Sequence, residues 1–479
     1  MFVNKTVKGS LLIAIGTIFK IILSLLIDKY LALQLGVDSF GQYKYGITTV
    51  LLLSTFGTLG FNSSVIREIA IQKSLVNKKK VLSIVLFLIS IATAIGIVII
   101  FSFNSFFNID IPFLLATFFF GINTVYNSIY SGLEKPKNKV LISDFLGFTL
   151  YLLFLVVFFQ FENTFELKQV SYIYLLYVFS VFVLNVLGSK KYLTTFNKKD
   201  LTAKDFKKFI KYTWPLYGVS ILIVLSANLD KFILNFFVSD NELGLYYAVF
   251  NISNLLPLIL TILVFLYLPI MSNFLKSGKQ NKAILLSSFS SKWTMIMASI
   301  FFGAILFYTE DILKLLYSNE FSEGALVLKI LALGQWINVS LGFTGQNLLA
   351  LGDSKSQLYI RTISFVIGAI LLFLGVKYYG NIGASISILI ALLCSNIIQI
   401  AVLKVKHNFV GYRKQNIYTL IVILVTGGVL SYIHKLNFLE NLNFLFMIFM
   451  DTSIFIVMLW LTKSINEKDL RALKITDGK

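Results

Sequence analysis

Hydrophobic positions in this chain run in long blocks rather than alternating with polar ones. Fourteen blocks can be marked, at roughly 10–33, 42–69, 81–103, 111–131, 141–161, 170–188, 212–236, 244–270, 284–308, 325–350, 357–376, 381–403, 416–434 and 443–462. A helix needs about 20 mostly apolar residues to cross a bilayer. The blocks mix Leu, Ile, Phe and Val without sustained two-residue alternation, so they read as helices and not as barrel strands. The pattern predicts an all-α integral membrane protein of about fourteen transmembrane helices. Pro257 falls inside the eighth block, a turn after Asn251 and Asn254, and predicts a kink there.

The polar interruptions repeat. Asp28-Lys29-Tyr30 is followed by Phe40-Gly41-Gln42-Tyr43. Asp230-Lys231-Phe232 is followed by Leu243-Gly244-Leu245-Tyr246. The Asp-to-Gly separation is 13 residues in the first and 14 in the second. Gly132-Leu133-Glu134-Lys135 is echoed by Gly352-Asp353-Ser354-Lys355. Related halves in one membrane chain point to a transporter of two bundles facing a central pathway.

Composition agrees. Hydrophobic residues make up 57% and charged residues 14%, against about a quarter charged in soluble domains. With the N-terminus placed in the cytoplasm, the cytoplasmic segments hold 30 Lys and Arg, and the outer segments hold four: Lys168, Lys314, Lys377 and Lys435. That bias fixes the orientation with both termini cytoplasmic. The net charge of +19 follows from this distribution and from attraction to anionic headgroups. Basic residues scattered over short loops give no reason to invoke nucleic acid.

Several chemistries find no residues to carry them. The first block is too long for a cleavable signal, carries Lys20 and lacks a small-residue cleavage pattern. Cys394 is alone inside a block, which leaves no disulfide framework and no cysteine metal site. His407 and His434 fall in or near loops, which argues against a buried histidine relay. There is no GxxxxGK[ST] loop, no HExxH helix and no loop longer than about 23 residues, Ser189 to Lys211. The expectation is a non-enzymatic transporter with no cofactor, driven by a substrate or ion gradient.

The run Leu35-Gly36-Val37-Asp38-Ser39-Phe40-Gly41-Gln42-Tyr43, with Leu59-Gly60-Phe61 and Ile66-Arg67-Glu68-Ile69-Ala70, resembles the start of Wzx-type polysaccharide flippases. So do Trp214-Pro215-Leu216, Asp230-Lys231, Glu242-Leu243-Gly244-Leu245-Tyr246-Tyr247-Ala248 and Gly132-Leu133-Glu134-Lys135-Pro136. The resemblance implies the multidrug/oligosaccharidyl-lipid/polysaccharide superfamily, with two pseudo-symmetric six-helix lobes and two C-terminal helices. On this chain the lobes fall at 1–188 and 212–403, joined by a cytoplasmic linker at 189–211, with helices 13 and 14 and a tail at 404–479. It implies translocation of a polyprenyl-diphosphate-linked oligosaccharide to the outer leaflet of the bacterial inner membrane, for an O-antigen or capsule. The partners it implies are that lipid-linked substrate, membrane lipids, H+ or Na+ as coupling ion, and a polysaccharide polymerase. A cation-coupled exporter of small amphipathic molecules and a lipid II flippase share the fold and stand as alternatives. A membrane-bound scaffold without transport would have no use for a lysine inside its first span.

Charges inside the blocks are the candidate functional residues, because a charge at the bilayer centre is costly and normally faces protein or a wet cavity. At about 1.5 Å per residue, Lys20 lies about 15 Å beyond Ser10, near the midplane. It reads as a cavity cation for the diphosphate, or as a lysine paired with a neighbouring helix or snorkelling away. Lys292 is the second candidate for substrate contact. Asp28, Lys29, Asp230 and Lys231 lie near the outer surface and read as a gate, with Asp28–Lys231 and Asp230–Lys29 as crossed pairs, or as interfacial anchors. Arg67, Glu68, Asp144 and Arg361 read the same way at the inner side. Asp451 is deep in the last block, either lining a groove for a lipid tail or paired with another span.

Overall fold

The computed structural model describes residues 2–58, 110–160, 166–193, 203–435 and 443–465, with scattered positions between 65 and 94. All regular structure among the described residues is helical. The helices are α1 Phe2–Gly57, α2 Ile111–Gly132, α3 Pro136–Phe159, α4 Leu167–Leu193, α5 Ala203–Phe237, α6 Asp240–Ser253 and α7 Leu258–Lys276. They continue with α8 Gln280–Phe307, α9 Thr309–Leu316, α10 Ala325–Ser340, α11 Thr344–Ala350, α12 Ser354–His407, α13 Lys414–Lys435 and α14 Phe444–Leu461.

Ten helical stretches among the described residues are long and apolar enough to cross a membrane. One of them, α12, holds two spans joined at Gly380 (φ 51°, ψ −131°). Likewise α1 runs through Gly36 (φ 71°, ψ 177°), which separates the first and second blocks. A side chain at that φ would be strained, so glycine is what lets two spans share one continuous turn. The third block lies largely outside the described residues. The remaining blocks each find their helix, and the all-helical, many-span reading holds among the described residues. The predicted break in the eighth span is present: α6 ends at Ser253 and α7 starts after Pro257.

The chain divides into two compact units, Met1–Gly244 and Leu245–Lys479. In the first, Ile122, Val125, Tyr126 and Ile129 of α2 are buried with Val65, Ile69, Val85 and Ile89. In the second, Tyr267, Met271, Phe343, Leu348, Leu403 and Phe409 form the corresponding apolar centre. Burial sorts the helices between protein and lipid. Two thirds of the α2 span is buried, against 17% for α14. In α14 the buried residues are Asp451, Phe455 and Leu459, a single stripe at four-residue spacing.

Candidate transport cavity and flanking charges

Within the first unit, α1, α2, α3 and α4 surround a cavity of about 290 Å³. Its lining includes Lys20, Asn123, Asn127, Lys139, Asp144 and Tyr177. The geometry starts with the backbone. Residues Val140–Leu146 of α3 are wound as a π-helix, a form that recurs at functional sites because it shifts side chains off the regular α register. α1 approaches this stretch at Gly16, where a Cβ would lie 2.5 Å from a Val140 methyl and 3.3 Å from Asp144 Oδ2. Glycine there lets Asp144 reach α1 one turn from Lys20.

Lys20 presents accessible surface to this cavity. Its ammonium sits 5.2 Å from the centroid of the Phe148 ring, a cation–π contact. It feels the attraction of Asp144 and the repulsion of Lys139. It forms no hydrogen bond or ion pair among the described residues. Asp144 is 7% exposed. Other polar groups of the lining are held in place. The Ser143 hydroxyl donates to Asn127 Oδ1 at 2.7 Å, Asn123 Nδ2 donates to the Val178 carbonyl at 2.9 Å, and Asn185 Nδ2 donates to Asn123 Oδ1 at 3.0 Å. The cavity therefore offers two cations, one carboxylate and fixed amides in an apolar shell.

Lys139 is the residue that sequence reading missed. It belongs to the cluster Pro136-Lys137-Asn138-Lys139 and was counted as a loop charge. In the structure it occupies the first turn of α3 and lines the same cavity as Lys20. The signal was its distance from Asp144, five residues, but only the π-helical turn makes that separation a shared face.

Tyrosines connect the cavity to the charges near Gly36. Tyr177 stacks on Tyr151 with centroids 4.7 Å apart, and the Tyr151 and Tyr43 hydroxyls are hydrogen-bonded. Beside Tyr43, Lys44 donates to Asp28 Oδ1 at 2.6 Å, which ties the two arms of α1 across the kink. In α5, Lys231 pairs with the adjacent Asp230 at 3.2 Å and also donates to the Ala227 carbonyl at 3.1 Å. These are ion pairs of Asp28 and Lys231, and both residues have further partners. Asp28, Asp230 and Lys231 are buried, Lys29 is half-buried, and all four have partners.

The two repeated motifs meet at their glycines. A Cβ on Gly41 would lie 2.5 Å from the Asp240 carbonyl oxygen and 2.7 Å from the Gly244 nitrogen. One on Gly244 would lie 2.1 Å from the Val37 carbonyl oxygen. Only backbone against backbone fits here. Gln42 Nε2 donates to Asp240 Oδ2 at 2.6 Å beside the contact, and the Tyr45 and Phe232 rings meet edge to face at 5.7 Å.

The remaining candidates go elsewhere. Arg67 and Glu68 lie outside the described residues. Arg361 is exposed on α12. Lys292 is 2% exposed and donates to the Ser464 carbonyl at 3.1 Å, just after α14; it does not line the cavity of the first unit. Asp451 pairs with His434 at 2.9 Å and accepts from the Tyr308 hydroxyl at 2.6 Å. Its alternative as a partner of another span is the one observed. His434, placed near a loop by sequence, is drawn into this contact because it occupies the last turn of α13.

Solved structures share this architecture. A structure described as the lipid II flippase MurJ in an inward closed conformation matches with a TM-score of 0.73 and 16% identity, over 96% of this chain and 99% of that one. An inward-facing MATE-family multidrug resistance transporter matches with a TM-score of 0.62 and 15% identity, over 82% and 94%. A superfamily transporter from Pyrococcus furiosus matches at 0.56 and 17%, over 84% and 95%. No curated protein matches the chain. These likenesses show the fold, an all-helical one that covers nearly the full length of each of those chains. A family model described as polysaccharide biosynthesis protein matches residues 6–275, and the chain belongs to that family.

Proposed function

We propose that this protein flips a polyprenyl-diphosphate-linked oligosaccharide from the cytoplasmic to the outer leaflet of a bacterial inner membrane by alternating access. The observation that carries this reading is Lys20, a midspan cation in the first unit that opens into a polar cavity with Lys139 beside it. A diphosphate cannot cross the apolar centre bare. A lysine meets it as a compact point charge with three donors. Family membership supports the polysaccharide pathway. The bias of loop lysines supports cytoplasmic termini. The lobes are residues 1–188 and 212–403, the linker 189–211 is cytoplasmic, and residues 404–479 form the appended helix pair and tail. A coupling cation, H+ or Na+, and a polymerase acting on the flipped product complete the pathway.

Gating rests on the meeting of the two repeated motifs. The close contact of Gly41 with Asp240 and Gly244 closes the outer end, with Asp28, Lys29, Asp230 and Lys231 as the charges that hold it. Arg67, Glu68 and Arg361 act at the inner end. Asp144 acts from inside the cavity, where it balances Lys20 until the diphosphate displaces it.

A second reading has its own observation. Asp144 beside aromatic rings would also suit a cationic amphipath, which is the exporter alternative, and the fold is equally that of a lipid II flippase. Deleting the protein separates them. The flippase reading expects lipid-linked oligosaccharide to accumulate on the cytoplasmic leaflet and surface polysaccharide to disappear. Unchanged surface glycan with raised sensitivity to amphipathic drugs would favour the exporter, and arrest of peptidoglycan synthesis would favour lipid II.

A further inference from the structure

The helix α14 is mostly lipid-facing, yet it carries a buried carboxylate. Asp451 lies seven residues into α14, about 10 Å along the helix, and is 7% exposed. Its oxygen Oδ2 accepts from the Tyr308 hydroxyl at 2.6 Å and from His434 Nε2 at 2.9 Å. The Tyr308 hydroxyl is also 3.2 Å from His434 Nε2. The His434 ring stacks on Phe307 with centroids 4.8 Å apart. The other oxygen, Oδ1, is buried and takes no hydrogen bond among the described residues, and Asp451 lines a small cavity of about 30 Å³. Three helices meet here: Tyr308 follows the last residue of α8, His434 is in the last turn of α13, and Asp451 comes from α14.

The charge balance of this cluster turns on one proton. With the imidazole neutral, Asp451 is a buried carboxylate served only by dipoles. With the imidazole protonated, the same contact is a neutral ion pair. An uncompensated charge in a bilayer is costly, and removing one partner of a buried pair strongly weakens the contact. Histidine is the side chain that changes charge near neutrality. Phe455 and Leu459 make the rest of the buried stripe on α14 and are indifferent to pH. The other charges near the cluster are Asp311, which acts on Tyr308, the Glu310–Lys314 pair at 3.4 Å on α9, and Lys435 next to His434.

We propose that Asp451, His434 and Tyr308 form a proton-binding site, and that its occupancy docks the α13–α14 pair against the end of α8. Proton uptake fastens the pair; proton loss leaves Asp451 without its counter-charge and releases it. The binding site stands on its own geometry. Its use during transport rests on the flippase reading above, and the test below measures docking without any substrate, so that the two can fail separately.

The test uses the full-length protein in lipid nanodiscs, with spin labels on the lipid-facing positions Phe301→Cys of α8 and Phe449→Cys of α14 in a Cys394→Ser background. Distances are measured by pulsed electron resonance in mildly acidic and mildly alkaline buffers. The expected result is a single short distance at acidic pH and a longer population at alkaline pH, with the docked-to-released ratio changing by about tenfold or more, as loss of a buried counter-charge demands. Asp451→Asn should be docked at alkaline pH, since the carboxylate charge is gone, and should no longer favour the docked form at acidic pH, where a protonated His434 has no counter-charge. His434→Lys, with a cation that does not depend on histidine, should stay docked at both pH values, and it checks the result if one variant folds poorly. A distance in the unmutated cluster that ignores pH would overturn the proposal. So would an acid-favoured docking that persists in Asp451→Asn, which would assign it to Glu310, Asp311 or Lys435.

Discussion

Lys20 and Lys292 are both lysines inside long apolar helices, one in each compact unit, and their surroundings differ. Lys20 opens into a cavity of about 290 Å³ and has a ring face, a separated carboxylate and Lys139 for company. Lys292 is enclosed and bonded to the Ser464 carbonyl. Several other buried polar groups of the second unit bond to one another. Tyr267 donates to Asn347, Asn347 to Ser287, Thr344 to Gln399, and Trp336 Nε1 to the Ser299 hydroxyl. Polar groups that satisfy one another fix a helix bundle. Polar groups that are held in place but left with charge to spare are available to a ligand. On the proposed function, transport chemistry belongs to the first unit and fastening to the second.

Charge reversal at position 20 should have the largest effect. Lys20→Glu should abolish surface polysaccharide, and Lys20→Ala should reduce transport at least about tenfold, because the midplane charge has no substitute on α1. Lys20→Arg should keep part of the activity. Equal protein in the membrane for all three is the control. Lys139→Ala should cost less, about threefold to tenfold, since its charge lies nearer the helix end where solvent shares the load. If Lys292→Met removed as much transport per folded molecule as Lys20→Ala, the contrast between the two units would be gone. The expected result for Lys292→Met is a loss of about 1–3 kcal/mol of stability, from the carbonyl left unpaired, with transport per folded molecule retained.

A smaller effect tests the meeting of the repeated motifs. Gly244→Ala places a methyl group 2.1 Å from the Val37 carbonyl oxygen. It should cost about 1–3 kcal/mol, as overpacking does, read as a lower unfolding temperature in detergent. Gly427→Ala in α13, where nothing lies within 4 Å, should cost nothing. Since Gly→Ala raises helix propensity, equal losses would mean that the contact at Gly244 does not explain the cost.

Most of the fold could be read from the chain because a bilayer leaves little choice. Twenty apolar residues in a row must be helical, and each interruption marks a turn or a functional charge. The echo of Asp28…Gly41 in Asp230…Gly244 located a real contact, since its glycines meet. What sequence could not show is which loop charge bends back into a helix. Lys139 joins the cavity only because residues 140–146 are wound as a π-helix. His434, the last residue of its apolar block, joins Asp451 because α13 stays helical through Lys435. Lys44 as a partner of Asp28 was also hidden, because a helix that turns at Gly36 brings it back at a separation that straight-helix spacing does not offer.

The smallest effect expected is at the turn that opens α12. Asp353 accepts from Lys406 at 2.8 Å and from His407 at 2.7 Å, and these donors hold its carboxyl well below the usual aspartate range. A depressed value means that the tie is complete above the ordinary aspartate value of about 3.9 and is lost as pH falls through the folded one. Asp353→Asn should lower the unfolding temperature slightly at neutral pH and remove that part of the acid sensitivity. An unfolding temperature unchanged at every pH would show that the tie contributes nothing.

The assignment of transport chemistry to the cavity around Lys20 is tested most directly with purified protein in liposomes carrying a polyprenyl-diphosphate-linked oligosaccharide. The measurement is the fraction of that lipid which becomes accessible to a glycan-modifying enzyme confined to one side. The account predicts that the unmodified protein exposes the lipid from the opposite leaflet, that Lys20→Arg does so more slowly, and that Lys20→Ala does not. Transfer by Lys20→Ala at the unmodified rate would contradict it.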